Sequence, residues 1–416
     1  MKIHTQNSTI LNALALFGLL SASNLGHAGA YDSSGHPYDS IFDEGLSATY
    51  SYLNLNPERT VKATQKFGDE EYTAHNPLKA YERHYLAIKA DLSTRLACML
   101  QYDPTTYSVR SDYGDQLPLG AKRTSLKGSE NTALCSFALN QDKDSLFKVM
   151  LGAAQRDFNL AISQDTSSQA MTLGGLAGIP GITLPSFINS ALLPLKLQSD
   201  LAIDLKGSTE IVPRIGVSYE KPSLNIRAAL MYTGKSTHDM KGTFTEPVFN
   251  TSHNGYTELL LPETYDVSLR TGISKKWQMG MAFGYVLSKW GDLPSIAVSQ
   301  DSPVPITLNV RMFDKHIATK YVGIGKKFND KFSLGGRFMW EGDRYGRGGG
   351  VRGATDGRQT IVVGGEYKVT DQLTVSPRVA FTKLEESKHT DYFMDIESDG
   401  HSYSRTYGVQ MKYRFK

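Results

Sequence analysis

The chain has 416 residues, of which 40% are hydrophobic and 10% aromatic, and its formal net charge at pH 7 is +3. A charge so close to neutral argues against a nucleic-acid partner. The mean hydropathy of −0.33 taken alone describes a soluble protein, but a membrane-spanning β-barrel has a similar average because only every second strand residue faces lipid.

Residues 1–30 have the layout of a secretory signal peptide. A basic start precedes an uncharged, mainly apolar run at 10–20, and small residues at 28–30 supply a cleavage site. The apolar run is too short to cross a membrane as a helix. We therefore expect an exported protein whose mature chain begins near Tyr31.

The rest of the chain, residues 45–416, is predicted to be all-β and to form one transmembrane antiparallel β-barrel. Short polar turns, each joining two predicted strands, lie at 91–93, 140–145, 220–223, 274–276, 328–331 and 370–372. Longer connections separate these hairpins, at 110–121, 245–255, 291–305, 342–357 and 385–400. Short turns that alternate with long loops are typical of an outer-membrane barrel, whose turns face the periplasm. With end strands at 45–55 and 401–415 the pattern gives about 14 strands, an even number that brings both termini to one side.

Two cysteines in an exported chain suggest one disulfide. Cys98 and Cys135 each share the parity of the apolar residues in their strands, and each lies five residues from a predicted turn. Adjacent strands would place them at similar heights on one face. The alternative is a pair of unbonded, lipid-facing cysteines, and a bridge would be structural.

One long loop, residues 164–200, contains an uncharged stretch at 171–195. Three prolines and four glycines prevent this stretch from forming a spanning helix. An exposed apolar loop on an exported protein needs an apolar partner, so we expect it to capture hydrophobic substrate; the alternative is a loop folded into the lumen as a constriction. The candidate capture residues are Leu173, Leu176, Ile179, Ile182, Leu184, Phe187, Ile188, Leu192 and Leu193.

The clearest predicted hairpin lies at residues 259–290. Its strands alternate strictly, and each is about ten residues long, enough to cross a bilayer at a tilt. We expect the apolar set to face lipid; it comprises Leu259, Leu261, Tyr265, Val267, Leu269, Ile273, Trp277, Met279, Met281, Phe283, Tyr285 and Leu287. The last strand alternates in the same way and ends on Phe415, one residue before Lys416. A terminal strand of this kind predicts the barrel assembly machinery as a partner.

The chain resembles the FadL family of outer-membrane transporters for long-chain fatty acids and other hydrophobic compounds, including toluene. The similarity is spread over most of residues 45–415 and is best at 231–244, 261–290 and 367–382. The resemblance implies a monomeric barrel with an internal N-terminal plug, here residues 31–44, and lateral escape of substrate through the wall. The family's Asn-Pro-Ala segment is missing before the first strand, so the plug is expected to be truncated.

If the apolar parity faces lipid, the opposite parity lines the pore, and it carries several cations. Charges at membrane depth normally face water or each other. Arginine binds carboxylates through paired hydrogen bonds, and we expect at least one of Arg214, Arg227 and Arg270 to meet the head group of a fatty acid. The alternative is an internal ladder of Arg–Glu pairs that braces the barrel.

No catalytic, metal or cofactor motif is present: the ten histidines are scattered, without HExxH or Cys-His spacing, and there is no nucleophile elbow. Trp277, Trp290 and Trp340 are expected to anchor the barrel at the membrane interface. The sequence thus predicts a non-enzymatic outer-membrane channel for passive uptake of fatty acids or similar compounds, in contact with lipid and lipopolysaccharide. A general diffusion porin or an adhesion barrel without a hydrophobic site is the alternative, and a soluble β-rich secreted protein is a third possibility.

Overall fold

A computed structural model describes residues 38–65, 71–114, 116, 120–142, 144–165, 170–172, 182–183, 194–196, 201–246, 251–274, 278–292, 296–301, 307–310, 315–342, 357–386, 388–390, 394–398 and 402–415. The predicted signal peptide, Trp277 and most of the uncharged loop lie outside these residues.

Fourteen antiparallel strands close into a barrel, since the first strand pairs with both the second and the last. This confirms the predicted fold class. The strands are β1 (Ser47–Glu58), β2 (Tyr81–Asp91), β3 (Leu96–Asp112), β4 (Gly120–Asp142), β5 (Ser145–Asp165), β6 (Leu201–Gly207 and Glu210–Lys221), β7 (Ile226–Thr233 and Ser236–Glu246), β8 (Thr251–Leu261 and Thr264–Ser274), β9 (Met279–Ser288 and Ile296–Gln300), β10 (Thr307–Val310 and Ile317–Lys327), β11 (Phe332–Glu341), β12 (Arg358–Lys368), β13 (Leu373–Leu384) and β14 (Tyr403–Arg414).

All six predicted short turns fall at hairpin connections, and these turns lie together at one end, here called the lower end. The first strand, β1, begins at this end with Ser47, and the last strand, β14, ends there with Arg414. The long loops lie at the upper end. Two of them also contribute a four-stranded sheet, formed by Thr60–Gln65, Glu71–His75, Lys388–Thr390 and Met394–Ser398.

The lower half of the wall is apolar outside and polar inside, as a membrane-spanning barrel requires. Exposed outward side chains include Leu86, Leu100, Ile215, Leu230, Val267, Phe283, Phe338, Tyr407 and Met411. Buried inward side chains include Arg83, Asp103, Glu130, Arg156, Arg214, Asp266, Arg337, Glu341 and Arg378. No helix among the described residues is long and apolar enough to span a membrane.

The described N-terminal segment lies against inward-facing side chains of the lower wall. Its short 3-10 helix, Asp39–Phe42, follows Tyr38, and Tyr38 and Ile41 pack among Met99, Met150 and Met231. Arg270 donates to Asp39 at 2.8 Å, and Lys412 donates to Asp43 at 2.6 Å. Apolar packing and ion pairs together hold this segment to the wall.

Three neighbouring strands, β6, β7 and β8, are each interrupted, and the inward parity of each strand changes at its interruption; those of β7 and β8 lie opposite each other, and that of β6 lies about four residues nearer the upper end. The interruptions are two residues long, at 208–209, 234–235 and 262–263. In an uninterrupted strand, one outward residue separates two successive inward residues. At each interruption two residues separate them, so each strand holds one residue more than strict alternation allows.

The parity change makes the expectation for Leu259 and Leu261 wrong. These side chains are 0% and 1% exposed and point inward, whereas Val267, on the far side of Pro262–Glu263, is 44% exposed and points outward. An apolar residue two positions away from another stays in phase only while the strand is continuous. The extra residue at the interruption moves the upper segment out of phase.

Cys98 and Cys135 are register partners on β3 and β4 and form a disulfide. Trp340 is 38% exposed and stacks on Phe338 with ring centroids 5.6 Å apart. Trp290 is only 3% exposed, so the expectation that it anchors the barrel in the interface is wrong. It lies between the two segments of β9, where the wall no longer presents its apolar residues outward.

Candidate functional site: an apolar lining above a belt of paired charges

The upper part of the wall has an apolar inner surface, here called the apolar lining. It consists of Leu126, Phe158, Leu160, Leu201, Ile203, Leu205, Met240, Phe244, Leu259 and Leu261, all 4% exposed or less. Register places them side by side, since Leu126 is opposite Leu160, Leu160 is opposite Leu205, and Ile203 is opposite Phe244. Five strands, β4 to β8, therefore contribute neighbouring, buried hydrocarbon side chains to the inner side of the wall.

Glycines let this lining pack closely. A Cβ on Gly128 would lie 2.4 Å from Cε1 of Phe158, so the phenyl ring occupies the space that a side chain would take. A Cβ on Gly255 would lie 3.0 Å from Cβ of Phe244 and 3.1 Å from Cδ2 of Leu205. The two inner apolar side chains therefore fill the surface over Gly255.

The outer face at this height is polar, unlike the lower wall. Asp204, Lys206, Lys241 and Glu258 are all exposed there. Charged side chains facing outward are costly in lipid but not in water. The upper wall is therefore built to stand in water with its apolar side chains inside, which reverses the arrangement below it.

Polar and aromatic side chains mark the boundary between the two arrangements. Glu263, in the β8 interruption, accepts hydrogen bonds from Tyr232 at 3.0 Å and Tyr265 at 3.2 Å and lies 2.7 Å from the ammonium of Lys289. The bond from Lys289, with further bonds from the two tyrosines, lowers the pKa of Glu263. Tyrosines with one polar partner are typical of a membrane–water interface.

Directly below the apolar lining, five buried charged side chains form a belt across β2 to β6, here called the charge belt: Arg83, Asp103, Glu130, Arg156 and Arg214. Glu130 accepts from Arg156 Nε at 2.7 Å and from Arg214 Nη2 at 2.7 Å, and Thr132 accepts from Arg214 Nη1 at 2.9 Å. Arg83 Nε donates to Asp103 at 2.9 Å. Each belt member is therefore paired with a side chain of opposite formal charge, as buried ionisable groups require.

At the height of the belt, β2 and β3 separate. They pair from Asp91 opposite Ala97 up to Leu86 opposite Tyr102, and no ladder joins residues 81–85 to residues 103–109. β2 continues to pair with β1, and β3 with β4. The separation, here called the window, is about five residues or 16 Å tall at the rise of a strand.

The window is closed at its top, because β3 meets the preceding chain again there. Leu78 bridges Ser111, and the amide of Lys79 donates to the carbonyl of Arg110 at 3.0 Å. The window is thus a bounded opening in the backbone ladder, with wall above and below it.

The sequence Asp103-Pro104-Thr105-Thr106 explains why β3 departs from β2 at this point. Pro104 has no N–H for a ladder. Residues 104–106 form a bulge opposite the single residue Ser129 of β4. The Asp103 carboxylate accepts from the amide of Thr105 at 3.1 Å, which stabilises the bulge as an Asx turn.

An apolar groove lies on the wall below and beside the window. Its volume is about 480 Å³, and its lining includes Leu86, Ile88, Leu100, Tyr102 and Ile211. Small residues on the neighbouring strands, Ala133 and Ala153, form part of its floor. The groove therefore offers a hydrocarbon-lined surface on the membrane side of the barrel.

The structure separates the three predicted lumen arginines. Arg214 belongs to the charge belt. Arg227 and Arg270 lie lower, against the N-terminal segment: Arg227 is 4.4 Å from the ring centroid of Phe42, and Arg270 pairs with Asp39. These two line a polar cavity of about 200 Å³ with Lys412 and Arg414.

Of the predicted capture residues only Ile182 is described, and its backbone pairs with Leu308. Leu173, Leu176, Ile179, Leu184, Phe187, Ile188, Leu192 and Leu193 lie outside the described residues. Their loop leaves β5 and returns in β6, two strands of the apolar lining.

Neither the apolar lining nor the Arg83–Asp103 pair was predicted from the sequence. Leu201, Ile203 and Leu205 alternate with Asp204 and Lys206, and charges on the outward parity are the signal that this segment stands outside the lipid. Asp103-Pro104 inside a strand pattern was the signal for the bulge.

Comparisons with known proteins identify the fold. No family model matches the chain, and no curated protein matches it by sequence. A FadL homologue of Pseudomonas aeruginosa matches with a TM-score of 0.76 at 11% identity, over 96% of this chain and 100% of that chain. The toluene transporters TodX of Pseudomonas putida and TbuX of Ralstonia pickettii match with TM-scores of 0.60 and 0.61, both at 14% identity, over 91% and 96% of this chain and 92% and 98% of theirs. At these identities the shared property is the barrel fold, and at that level the predicted resemblance is confirmed.

Proposed function

We propose that this barrel is an outer-membrane channel that takes up hydrophobic small molecules passively, with long-chain fatty acids as the preferred class. The observation that carries the proposal is the apolar lining, an inward hydrocarbon surface on a part of the wall whose outer face is polar. A water-filled diffusion pore gains nothing from such a lining. For cargo leaving water, transfer into it is favourable by about 0.8 kcal/mol per CH₂.

The proposed path enters at the upper end and turns sideways at the charge belt. A hydrocarbon chain finds no apolar surface among five paired charges, and separating those charges is costly. The window opens at the same height and leads toward the groove lined by Leu86 and Leu100. Cargo that moves from lining to groove stays in contact with apolar surface.

The charge belt favours cargo that carries a carboxylate. Three of its five side chains are guanidinium groups, and arginine holds carboxylates through paired hydrogen bonds. A fatty acid could place its tail on the apolar lining and its head group on Arg214. The loop at residues 164–200, through its uncharged stretch at 171–195, would deliver it, since the loop joins two strands of the lining.

Uptake of labelled oleate and toluene tests the proposal in cells that lack their own transporters. The native chain should support uptake. Leu259→Ser, which places a hydroxyl in the apolar lining, should lower it, and deleting residues 176–187 should lower it further. Leu260→Ser is the matched control, because Leu260 is adjacent to Leu259 in the sequence but its side chain has the outward parity.

Heat-modifiable migration in detergent gels confirms for each variant that the barrel is folded. Uptake by Leu259→Ser and by the loop deletion at the native rate, in folded barrels, would contradict the proposal. Free passage of small hydrophilic solutes without oleate uptake would instead favour a general diffusion porin.

A further inference from the structure

One ion pair crosses the window where the backbone ladder is missing. We infer that Arg83 and Asp103 form a latch that holds the window closed and must part before cargo leaves sideways. The inference rests on the proposed function and supplies its gate.

The latch is placed just above the last ladder pair, Leu86 with Tyr102. Arg83 projects from β2 and Asp103 from β3, both on the inward parity, and they are 2% and 0% exposed. Nε of Arg83 donates to Oδ2 of Asp103 at 2.9 Å, and Nη2 of the same guanidinium donates to the same oxygen. Two charge-assisted bonds thus join strands that share no backbone bond at this height.

The other ion pairs of the charge belt, unlike Arg83–Asp103, lie between strands that are also joined by backbone hydrogen bonds. Glu130 binds Arg156 and Arg214 across β4, β5 and β6, and backbone ladders join these strands at the same residues: β4 to β5 on both sides of Glu130, and β5 to β6 from Arg156 opposite Glu210 downward. Parting those pairs would leave the backbone bonds of the wall intact. Parting Arg83 from Asp103 would leave no backbone ladder to hold β2 to β3 at the height of the window.

The bulge at residues 104–106 lets β3 move at this point. It places three residues of β3 opposite one of β4, so β3 can shift there without changing its register on either side. Asp103 serves both features, because Oδ1 holds the bulge through Thr105 while Oδ2 holds Arg83. Movement of this one carboxylate would loosen the bulge and release the latch together.

A reversible cross-link tests the latch. Arg83→Cys and Asp103→Cys are introduced together in a Cys98→Ala/Cys135→Ala background, and the thiols are joined with a bis-methanethiosulfonate that reductant removes. With β2 tied to β3, oleate uptake should be lost, and reductant should restore it in the same cells. A monofunctional methanethiosulfonate, which adds bulk without joining strands, is the control and should leave uptake in place.

A second variant tests the opposite state. Arg83→Met/Asp103→Leu replaces the pair with apolar side chains of similar length and should raise the rate of oleate uptake above native. The exchanged pair Arg83→Asp/Asp103→Arg should return it toward native.

Equal uptake before and after cross-linking would overturn the latch while leaving transport itself intact. Absence of uptake by the native, folded barrel would overturn the proposed function, and the latch with it.

Discussion

Arg214 shows how a buried charge can be both a brace and a contact for cargo. It is 2% exposed and bonds Glu130 and Thr132, as in the predicted ladder of Arg–Glu pairs. Its position directly beneath the apolar lining is what also suits it to a head group. Arg227 and Arg270 lack that position, because they face the N-terminal segment.

Arg214→Gln tests this assignment. Glu130 keeps Arg156 as a partner, so the barrel should still assemble. Loss of a charged hydrogen bond, worth about 1.5–3 kcal/mol, should lower oleate uptake about tenfold or more, while uptake of toluene, which has no charge to bind, should not change. Initial rates of both cargoes give the answer.

Arg227→Gln/Arg270→Gln serves as the comparison for Arg214→Gln. The double variant should lower oleate uptake less than Arg214→Gln does. Equal losses of oleate and toluene in Arg214→Gln, or a larger loss in the double variant, would show that the head group does not bind at the charge belt.

At the scale of the strand, the interruptions in β6, β7 and β8 allow one wall to serve two solvents. Below them the outward parity meets lipid, and above them it meets water. One extra residue per strand is enough, because a shift of one residue exchanges the two faces. Pro262 and Gly234 are well placed at interruptions, since proline cannot donate to a ladder and glycine weakens a strand.

A nitroxide scan along residues 256–273 measures the inversion. Labels at 267, 269 and 273 should be accessible to oxygen dissolved in lipid. Labels at 256 and 258 should be accessible to a water-soluble nickel complex, and labels at 259 and 261 to neither. Because Cys98 and Cys135 are joined in a disulfide, the nitroxide reagent reacts only with the introduced cysteine. Lipid accessibility at 259 and 261 would mean that β8 is one uninterrupted strand.

At the scale of the whole molecule, periodicity and turn chemistry predicted the barrel, its strand number and all six short turns. These features are local: alternation shows within one strand, and turn residues are adjacent in sequence. Leu259 and Leu261 were misplaced because their alternation with polar residues is the same on either face. Only the extra residue at Pro262–Glu263, combined with the closed wall, decides which face is inside.

The charge belt and the window could not be predicted because they depend on pairing between strands. Arg83 and Asp103 are 20 residues apart in sequence, and Arg214 is 84 residues from Glu130. Which inward charges meet depends on register, and a missing ladder between β2 and β3 leaves no mark on the periodicity of β2 itself.

The location of cargo inside the barrel tests the central claim most directly. Crystals of the detergent-extracted protein grown with a fatty acid brominated along its tail give anomalous scattering from the bromine atoms. We expect bromine peaks against Leu205, Phe244 and Leu259, with the carboxylate at the charge belt. Bromine only on the outer, lipid-facing surface, with no peak against the apolar lining, would contradict it.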